Sequence, residues 1–185
     1  MEKIRTFIAV KLPGEVRRRL AEIEKRLMES GADVKWVPEE NFHITLKFLG
    51  GVEQAKMSGV REAVERAASG VRPFDLGFAG VGSFGRPTRV VWVGIESGRD
   101  ELRSLAALVD GELAGVGFPR EDRPFGAHVT LGRVRSPRGA ESLRERIEEL
   151  KNERAGSAPV DGVSVMRSEL RPGGPVYTAL ADVRF

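Results

Sequence analysis

The chain has no cysteine, only two histidines and no long apolar run among its 185 residues. Without cysteine it can form no disulfide bond, and no thiolate can act as a nucleophile or as a metal ligand. No apolar stretch approaches the about 20 residues that a membrane-spanning helix requires, and the N-terminal residues lack the apolar segment of a signal peptide. We therefore expect a cytoplasmic protein that acts without a membrane.

Neither sign of charge dominates the chain. Its 30 lysines and arginines stand against 27 aspartates and glutamates, which gives a net charge of +3 and a pI of about 9.5. This mildly basic balance is compatible with a polyanionic partner but does not identify one. Many arginines, such as Arg144 and Arg146, alternate with glutamates in helical stretches, which is typical of a solvated helix face.

Both histidines open the same tetrapeptide. His43 begins His-Ile-Thr-Leu, and His128 begins His-Val-Thr-Leu. Two of the chain's five threonines therefore lie two positions after a histidine. A lone His-x-Thr segment on a strand is more often an ordinary polar face, but a chance duplication of the pattern would be rare. The duplication predicts one active site that is built from two similar half-sites.

The residues around each motif alternate with the period of a half-buried strand. In the first motif the expected apolar face consists of Phe42, Ile44, Leu46 and Phe48. The expected polar face consists of His43, Thr45 and Lys47. In the second motif His128 and Thr130 share one face, and the apolar residues share the other. Each half-site therefore offers an imidazole and a hydroxyl to the same space.

Two such half-sites suit phosphate chemistry. A neutral imidazole can take a proton from an attacking water, and a protonated one can donate a proton to a leaving oxygen. The reference pKa of histidine, about 6.5, makes both forms accessible near neutrality. The hydroxyls of Thr45 and Thr130 can hold the phosphoryl oxygens between the rings. Because the half-sites are nearly equivalent, the residues alone leave open which imidazole is the acid and which is the base.

The rest of the chain predicts a mixture of helices and strands without strict alternation. Helices are expected over 14–29, 53–69, 99–114 and 139–153, and strands over 7–10, 34–37, 42–49, 74–81, 89–95, 125–134, 160–170 and 176–185. Such a pattern favours an α+β fold with largely antiparallel sheets. The two histidines are 85 residues apart, nearly half the chain. This spacing suggests two pseudo-symmetric lobes with one motif each, 43–46 and 128–131.

Two other kinds of site have little support. The segment from Gly80 to Gly85 matches G-x-G-x-x-G, but a dinucleotide-binding loop must lead from a strand into a helix. Here the next residues, from Arg86 to Val93, read as a turn and a strand, so we expect a hairpin. A metal site is not expected, because neither motif has a neighbouring acid on its histidine face. No other cofactor motif is present, and we expect no cofactor.

The chain resembles the 2H phosphoesterases, specifically the RNA 2′,3′-cyclic phosphodiesterases, also called 2′-5′ RNA ligases. The resemblance runs nearly end to end and rests on the two motifs with their flanks and on the segments 5–10, 34–37, 89–94 and 174–178. The first motif, in the stretch 41–50, is highly specific. One departure is Ala127, where the family often has proline, a position that affects backbone stiffness more than chemistry.

The resemblance implies a fold and an activity. The fold would be one bilobal domain over residues 1–185, with antiparallel sheets that line a central cleft and helices outside. The activity would be hydrolysis of a 2′,3′-cyclic phosphate at an RNA end to a 2′-phosphomonoester. In that reaction His43 would donate a proton to the 3′-oxygen, and His128 would accept one from water. Thr45 and Thr130 would anchor the non-bridging oxygens.

The resemblance also implies reversibility and a set of partners. A 5′-hydroxyl in place of water would form a 2′-5′ linkage without ATP. The expected substrate is RNA with a 2′,3′-cyclic phosphate end, including tRNA fragments, and the expected state is a monomer. Two alternatives stay open. In the first alternative the enzyme acts on a small cyclic nucleotide or ADP-ribose cyclic phosphate. In the second the protein is a non-catalytic RNA-binding module.

Three further residues are candidates for substrate binding. Lys47 shares the predicted face of His43 and could touch phosphate, although a strand-end lysine is usually solvated. Arg133 lies just past the second motif, as does Arg135, and the resemblance implies a phosphate contact for Arg133. Strict alternation places Arg133 opposite His128, so a twist or bulge after Gly132 would be needed. Phe84 lies in an exposed-looking turn, where it could stack on a base or pack in the core.

Overall fold

A computed structural model describes residues 3–185 as nine strands and four α-helices, with two short 3₁₀ turns at Glu39–Asn41 and Gln54–Lys56. In chain order the elements are β1 (Lys3–Lys11), α1 (Gly14–Met28), β2 (Val34–Trp36), β3 (His43–Glu53), α2 (Met57–Ala68), β4 (Phe74–Phe84), β5 (Val90–Ser97), α3 (Arg99–Gly115), β6 (His128–Val134), α4 (Ala140–Glu149), β7 (Arg154–Val160), β8 (Gly162–Arg171) and β9 (Gly174–Arg184). None of the helices in this part of the chain is long and apolar enough to cross a membrane.

The strands form two antiparallel sheets, and each sheet carries one motif. The first sheet has the order β3-β1-β8-β9, and the second has the order β2-β6-β5-β4-β7. His43 opens β3 in the first sheet, and His128 opens β6 in the second. The C-terminal strands β8 and β9 return to the first sheet beside β1. The expectation of an α+β fold with antiparallel sheets is therefore confirmed.

Each helix is amphipathic and buries one apolar stripe. Helix α1 buries residues at the spacing of one helix face, namely Val16, Leu20, Ile23 and Leu27. Helix α3 does the same with Leu102, Leu105, Val109 and Leu113. Such stripes recur every three to four residues because the helix has a period of 3.6. Helices α1 and α4 contact the second sheet, while α2 packs on the first sheet and on α3.

The hairpin between β4 and β5 was expected, and the structure confirms it. Strand β4 continues to Phe84, which pairs with Val90 on β5. The G-x-G-x-x-G segment therefore runs along a strand into a turn, not into a helix. Gly82 lies against the ring of Trp92, and a Cβ there would come within 2.4 Å of that ring. Close packing against the indole thus explains a glycine at this position without a nucleotide.

The sequence prediction was wrong between residues 150 and 160. The helix expected over 139–153 ends at Glu149, and Arg154–Val160 forms strand β7, which was not predicted. Strand β7 lies at the edge of the second sheet, paired only with β4. An edge strand tolerates Pro159, which has no N–H to donate. Gly156 has a φ of 85° and adjoins a register shift in the strand pairing. Because Pro159 and Gly156 are both unusual within a strand, the sequence of this segment did not indicate one.

Candidate active site

The two half-sites meet in one cleft. His43, Thr45, His128 and Thr130 all line a cavity of about 460 Å³. Strands β3 and β6 belong to different sheets but contact each other, which brings the first residues of both strands to the same opening. The four residues that the motifs singled out are thus brought together, although they come from two sheets.

Each motif strand has a bulge at the leucine of its motif. On β3, Thr45 pairs with Ala9 and Lys47 pairs with Ile8, so Leu46 is an extra residue. On β6, Thr130 pairs with Trp92 and Gly132 pairs with Val91, so Leu131 is extra in the same way. A bulge of this kind places two residues opposite one and changes which face the following side chains occupy. The two half-sites therefore share a backbone irregularity as well as a sequence.

The bulge at Leu131 places Arg133 in the cleft. Residues that pair across a ladder point to the same face, and Arg133 pairs with Val90. Val90 and Trp92 are two residues apart and share a face, so Arg133 shares the face of Thr130. Arg133 accordingly lines the same cavity as the imidazoles. A twist or bulge after Gly132 was expected to be necessary for Arg133 to share the face of His128. The structure has the bulge one residue earlier, at Leu131.

The equivalent bulge at Leu46 contradicts the prediction that Lys47 shares the face of His43 and Thr45, although Lys47 is among the residues that line the cleft. Lys47 pairs with Ile8 and Thr45 pairs with Ala9, and consecutive residues of a strand point to opposite faces. Lys47 therefore does not share the face of Thr45. Its side chain is 2% exposed, and its Nζ lies 2.5 Å from Oδ1 of Asp110. Its ammonium group is held by the protein and is neither solvated nor free for phosphate.

The same bulge also moves Phe48 out of the core. Phe48 was predicted to share the buried face of Ile44, but it is 58% exposed and lines the cleft. It follows His43 by five residues, as Arg133 follows His128. The pseudo-symmetric positions therefore carry an aromatic ring in the first half-site and a guanidinium group in the second, which makes the two sides of the cleft chemically unequal.

Both imidazoles are oriented by the backbone in the same way. Nδ1 of His43 donates to the carbonyl of Asn41 at 2.6 Å, and Nδ1 of His128 donates to the carbonyl of Gly126 at 2.6 Å. A carbonyl only accepts, so Nδ1 carries the proton in each ring. The chemistry of each ring is therefore left to Nε2. Nε2 of His43 lies 2.9 Å from the hydroxyl of Thr45.

Aromatic side chains enclose both imidazoles. The ring of His43 lies 5.0 Å from that of Phe7 and 5.3 Å from that of Tyr177, edge to face with the tyrosine. The ring of His128 meets Phe84 edge to face at 5.0 Å. Phe84 is 44% exposed and lines a smaller cavity that shares His128 with the main cleft. Phe84 therefore lies next to the second half-site.

Comparison with known proteins agrees with this geometry. A family model described as LigT-like phosphoesterase matches residues 10–92 and again residues 93–177, so that each match contains one motif. This chain belongs to the LigT-like phosphoesterase family. An RNA 2′,3′-cyclic phosphodiesterase of Methanothermobacter thermautotrophicus is 40% identical over 184 residues, which cover 98% of this chain and 99% of that protein. An RNA 2′,3′-cyclic phosphodiesterase of Thermotoga maritima is 38% identical, and the match covers 98% of this chain and 96% of that protein.

Solved structures of other proteins have the same fold. A protein of Thermus thermophilus is 31% identical and superposes with a TM-score of 0.80 over 97% of each chain. LigT of E. coli in complex with 3′-AMP is 26% identical, with a TM-score of 0.79 over 100% of this chain and 99% of its own. The bilobal 2H phosphoesterase fold that the sequence predicts is thereby confirmed.

Burial sets the protonation of the histidines in this LigT-like cleft. It lowers the pKa of both imidazoles below the ordinary value of 6.5. For His43 the Asn41 carbonyl opposes the pKa shift and the charge of His128 adds to it. For His128 the Gly126 carbonyl opposes it and the charge of Arg133 adds to it. Both rings are therefore mostly neutral in the empty cleft near pH 7, and an anionic ligand between them would favour the protonated form.

Sequence reasoning missed some residues of the site. Tyr177 lies in a strand pattern, which by itself does not indicate a site, yet it lines the cleft beside His43. Asn41 is buried and links the residues before β3 to β9, since its side-chain amide donates to the carbonyl of Pro175 at 2.9 Å. Tyr177 and Pro175 lie in the segment 174–178 that carries part of the family resemblance, which was the available signal.

Proposed function

We propose that this LigT-like phosphoesterase opens 2′,3′-cyclic phosphate ends of RNA to 2′-phosphomonoesters. The relatives named as RNA 2′,3′-cyclic phosphodiesterases support the substrate class. The observation that carries the proposal is the paired arrangement of the imidazoles. Both line one cleft, and each has its Nδ1 held by a carbonyl, so each Nε2 is available for proton transfer.

The reaction begins with one protonated and one neutral imidazole. Nε2 of His128 takes a proton from water as the water oxygen bonds to phosphorus. The bond between phosphorus and the 3′-oxygen breaks, and Nε2 of His43 donates its proton to that oxygen. The product keeps the phosphate on the 2′-oxygen. The assignment of donor and acceptor rests on the family resemblance, and proton exchange with solvent afterwards restores the starting state.

The other residues of the cleft stabilise the charge on the phosphoryl group. Positioned donors stabilise the charge that develops in the transition state. The hydroxyls of Thr45 and Thr130 can hydrogen-bond the non-bridging oxygens, and Arg133 adds a full positive charge on the same side as Thr130. Phe84 is next to His128 and provides a ring on which a base can stack. Lys47 takes no direct part, because Asp110 holds its ammonium group.

The same groups serve ligation when a 5′-hydroxyl replaces water. His128 takes the proton of that hydroxyl, its oxygen bonds to phosphorus, and the 3′-oxygen again leaves with the proton of His43. The product is a 2′-5′ phosphodiester. The strain of the five-membered cyclic phosphate supplies the driving force, so no ATP is consumed.

The proposal is tested with a short RNA that ends in a 2′,3′-cyclic phosphate, incubated in the presence of a chelator. We expect complete opening, with a phosphorus NMR signal of the 2′-phosphomonoester. A chelator is tolerated because the two acids that line the cleft, Asp110 and Glu121, already face Lys47. If a 3′-phosphomonoester dominates instead, the ribose lies between the imidazoles in the orientation opposite to the one assigned. Absence of opening would reject the proposed activity.

A further inference from the structure

The cleft carries more positive charge than a single cyclic phosphate needs. Besides Arg133, it is lined by Arg103 from helix α3 and by Arg123 from the connection between α3 and β6. A cyclic phosphodiester carries one negative charge. Arg133 is placed to meet that charge, because it shares the face of Thr130 and acts on the pKa of His128. The cleft therefore has two arginines in addition to the one beside Thr130.

These two arginines are not neutralised within the cleft. The acids that line the same cavity, Asp110 and Glu121, lie 2.5 and 3.9 Å from Nζ of Lys47. Among the described residues, the ion-pair partner of Arg103 is Asp100, at 3.2 Å on the outer surface, where that carboxylate is 89% exposed. Such exposed pairs are weak. No ion pair of Arg123 occurs among residues 3–185, and Asp110 on the same cleft faces Lys47 and Arg120 instead.

The segment that carries Arg123 is anchored. Lys47 donates to the carbonyl of Pro119 at 2.7 Å, and the backbone amide of Glu121 donates to Asp110 at 3.1 Å. Two hydrogen bonds thus hold the connection between α3 and β6 immediately before Arg123. A side chain on a fixed segment loses less conformational freedom when it binds a ligand, so this anchoring favours a binding role for Arg123.

The space around Arg103 continues beyond the reacting centre. Arg103 lines the main cleft and also the adjoining cavity of about 280 Å³ that contains Phe84 and Trp92. The linings of the two cavities share Arg103 and His128, so the cavities adjoin at the second half-site. A nucleic acid strand whose terminal ribose lies between the imidazoles can extend along this side of the cleft.

We propose that Arg103 and Arg123 form a second phosphate subsite, which binds the internucleotide phosphodiester on the 5′ side of the terminal nucleotide. This inference rests on the proposed function and narrows its substrate class to oligonucleotides with a cyclic phosphate end. Guanidinium groups suit phosphate because they offer several N–H donors in a plane. A cyclic mononucleotide lacks that phosphodiester and leaves the subsite empty.

The test compares two substrates, a 2′,3′-cyclic mononucleotide and a dinucleotide with the same cyclic end. We expect the dinucleotide to have the higher kcat/KM through a lower KM. We expect Arg123→Gln and Arg103→Gln each to reduce the ratio of the two kcat/KM values by about tenfold, the scale of one charge-assisted hydrogen bond. Arg144→Gln, an exposed arginine on α4, is the control and should leave the ratio unchanged.

Salt dependence gives an independent measurement. Each phosphate contact with a single strand adds roughly 0.7 to the slope of log affinity against log salt. The dinucleotide should therefore show the steeper slope with the wild type, and Arg123→Gln should remove the difference. Turnover of the mononucleotide with no preference for the dinucleotide, or an unchanged ratio in both variants, would overturn the subsite alone. If neither substrate is opened, the proposed function fails and the subsite fails with it.

Discussion

Lys47 of strand β3 and Asp110 of helix α3 form an ion pair at the edge of the cleft, with Nζ and Oδ1 2.5 Å apart. The two side chains are 2% and 18% exposed. The pair also holds the connection between α3 and β6, through the carbonyl of Pro119 and the amide of Glu121. The strand of the first half-site is thereby fixed to the segment that leads into the second.

Breaking this ion pair should destabilise the protein. Lys47→Met leaves the Asp110 carboxylate without its partner, and removal of one member of a buried pair costs about 3–5 kcal/mol. The double variant Lys47→Met/Asp110→Leu should recover most of that loss, because no buried unpaired charge remains. Urea unfolding measures both free energies. Lys35→Met, at an exposed strand lysine, is the control. A single variant as stable as the wild type would show that the pair contributes nothing.

Loss of Arg133 should slow turnover and shift its pH dependence. In the proposed mechanism its charge meets the developing phosphoryl charge, and removal of one such donor typically costs about 10²–10³ in kcat. Because Arg133 also lowers the pKa of His128, Arg133→Gln should raise that pKa. The NMR titration of His128 measures this directly. Arg135→Gln, two residues further on and outside the lining of the cleft, should change neither quantity.

The pH profile of kcat/KM should be bell-shaped with its maximum below about pH 6.5. This parameter reports the free enzyme, in which the pKa values of both imidazoles lie below 6.5. Activity falls at higher pH because His43 loses the proton that it donates, and at lower pH because His128 gains one. The kcat profile should lie at higher pH, since a bound anion favours the protonated ring. A profile that is flat from pH 5 to 9 would contradict paired acid and base catalysis.

Glu24 should make the fold less stable as the pH rises. Burial raises the pKa of Glu24 to about 7, against the opposing effect of the Val37 amide, and its Oε1 has no partner among the described residues. A raised pKa means that the folded state binds the proton more tightly, so its stabilising contribution is lost as the pH rises from about 4.5 to about 7. Glu24→Gln should therefore stabilise the protein at pH 8 by roughly 1–3 kcal/mol and have little effect at pH 4. Glu22→Gln, exposed on the same helix, is the control in thermal unfolding at both pH values.

The sequence could place His43 beside Thr45 and His128 beside Thr130 because this geometry is local. His43, Thr45, His128 and Thr130 all precede the bulges, so simple alternation places each pair on one face. The antiparallel sheets and the hairpin after Phe84 also follow from local patterns of apolar residues and turns.

Beyond the bulges, alternation failed. A bulge is a mismatch in count between two strands, so the sequence of one strand does not reveal it. Lys47 was therefore predicted on the face of His43 and Phe48 on the buried face, which is the reverse of their positions in the structure. The face of Arg133 could not be decided from the sequence. The partner of Lys47 was also beyond prediction, because Asp110 is 63 residues away and only tertiary packing brings the two together.

The most direct test of the two-histidine mechanism is the turnover of a cyclic-phosphate RNA by His43→Ala and His128→Ala. Acid and base steps each contribute roughly 10²–10⁴ in rate, so each variant should lose that much in kcat. Circular dichroism and the thermal midpoint should stay close to those of the wild type, since neither ring belongs to the buried core. If either folded variant retains most of the activity, the reaction does not depend on two imidazoles.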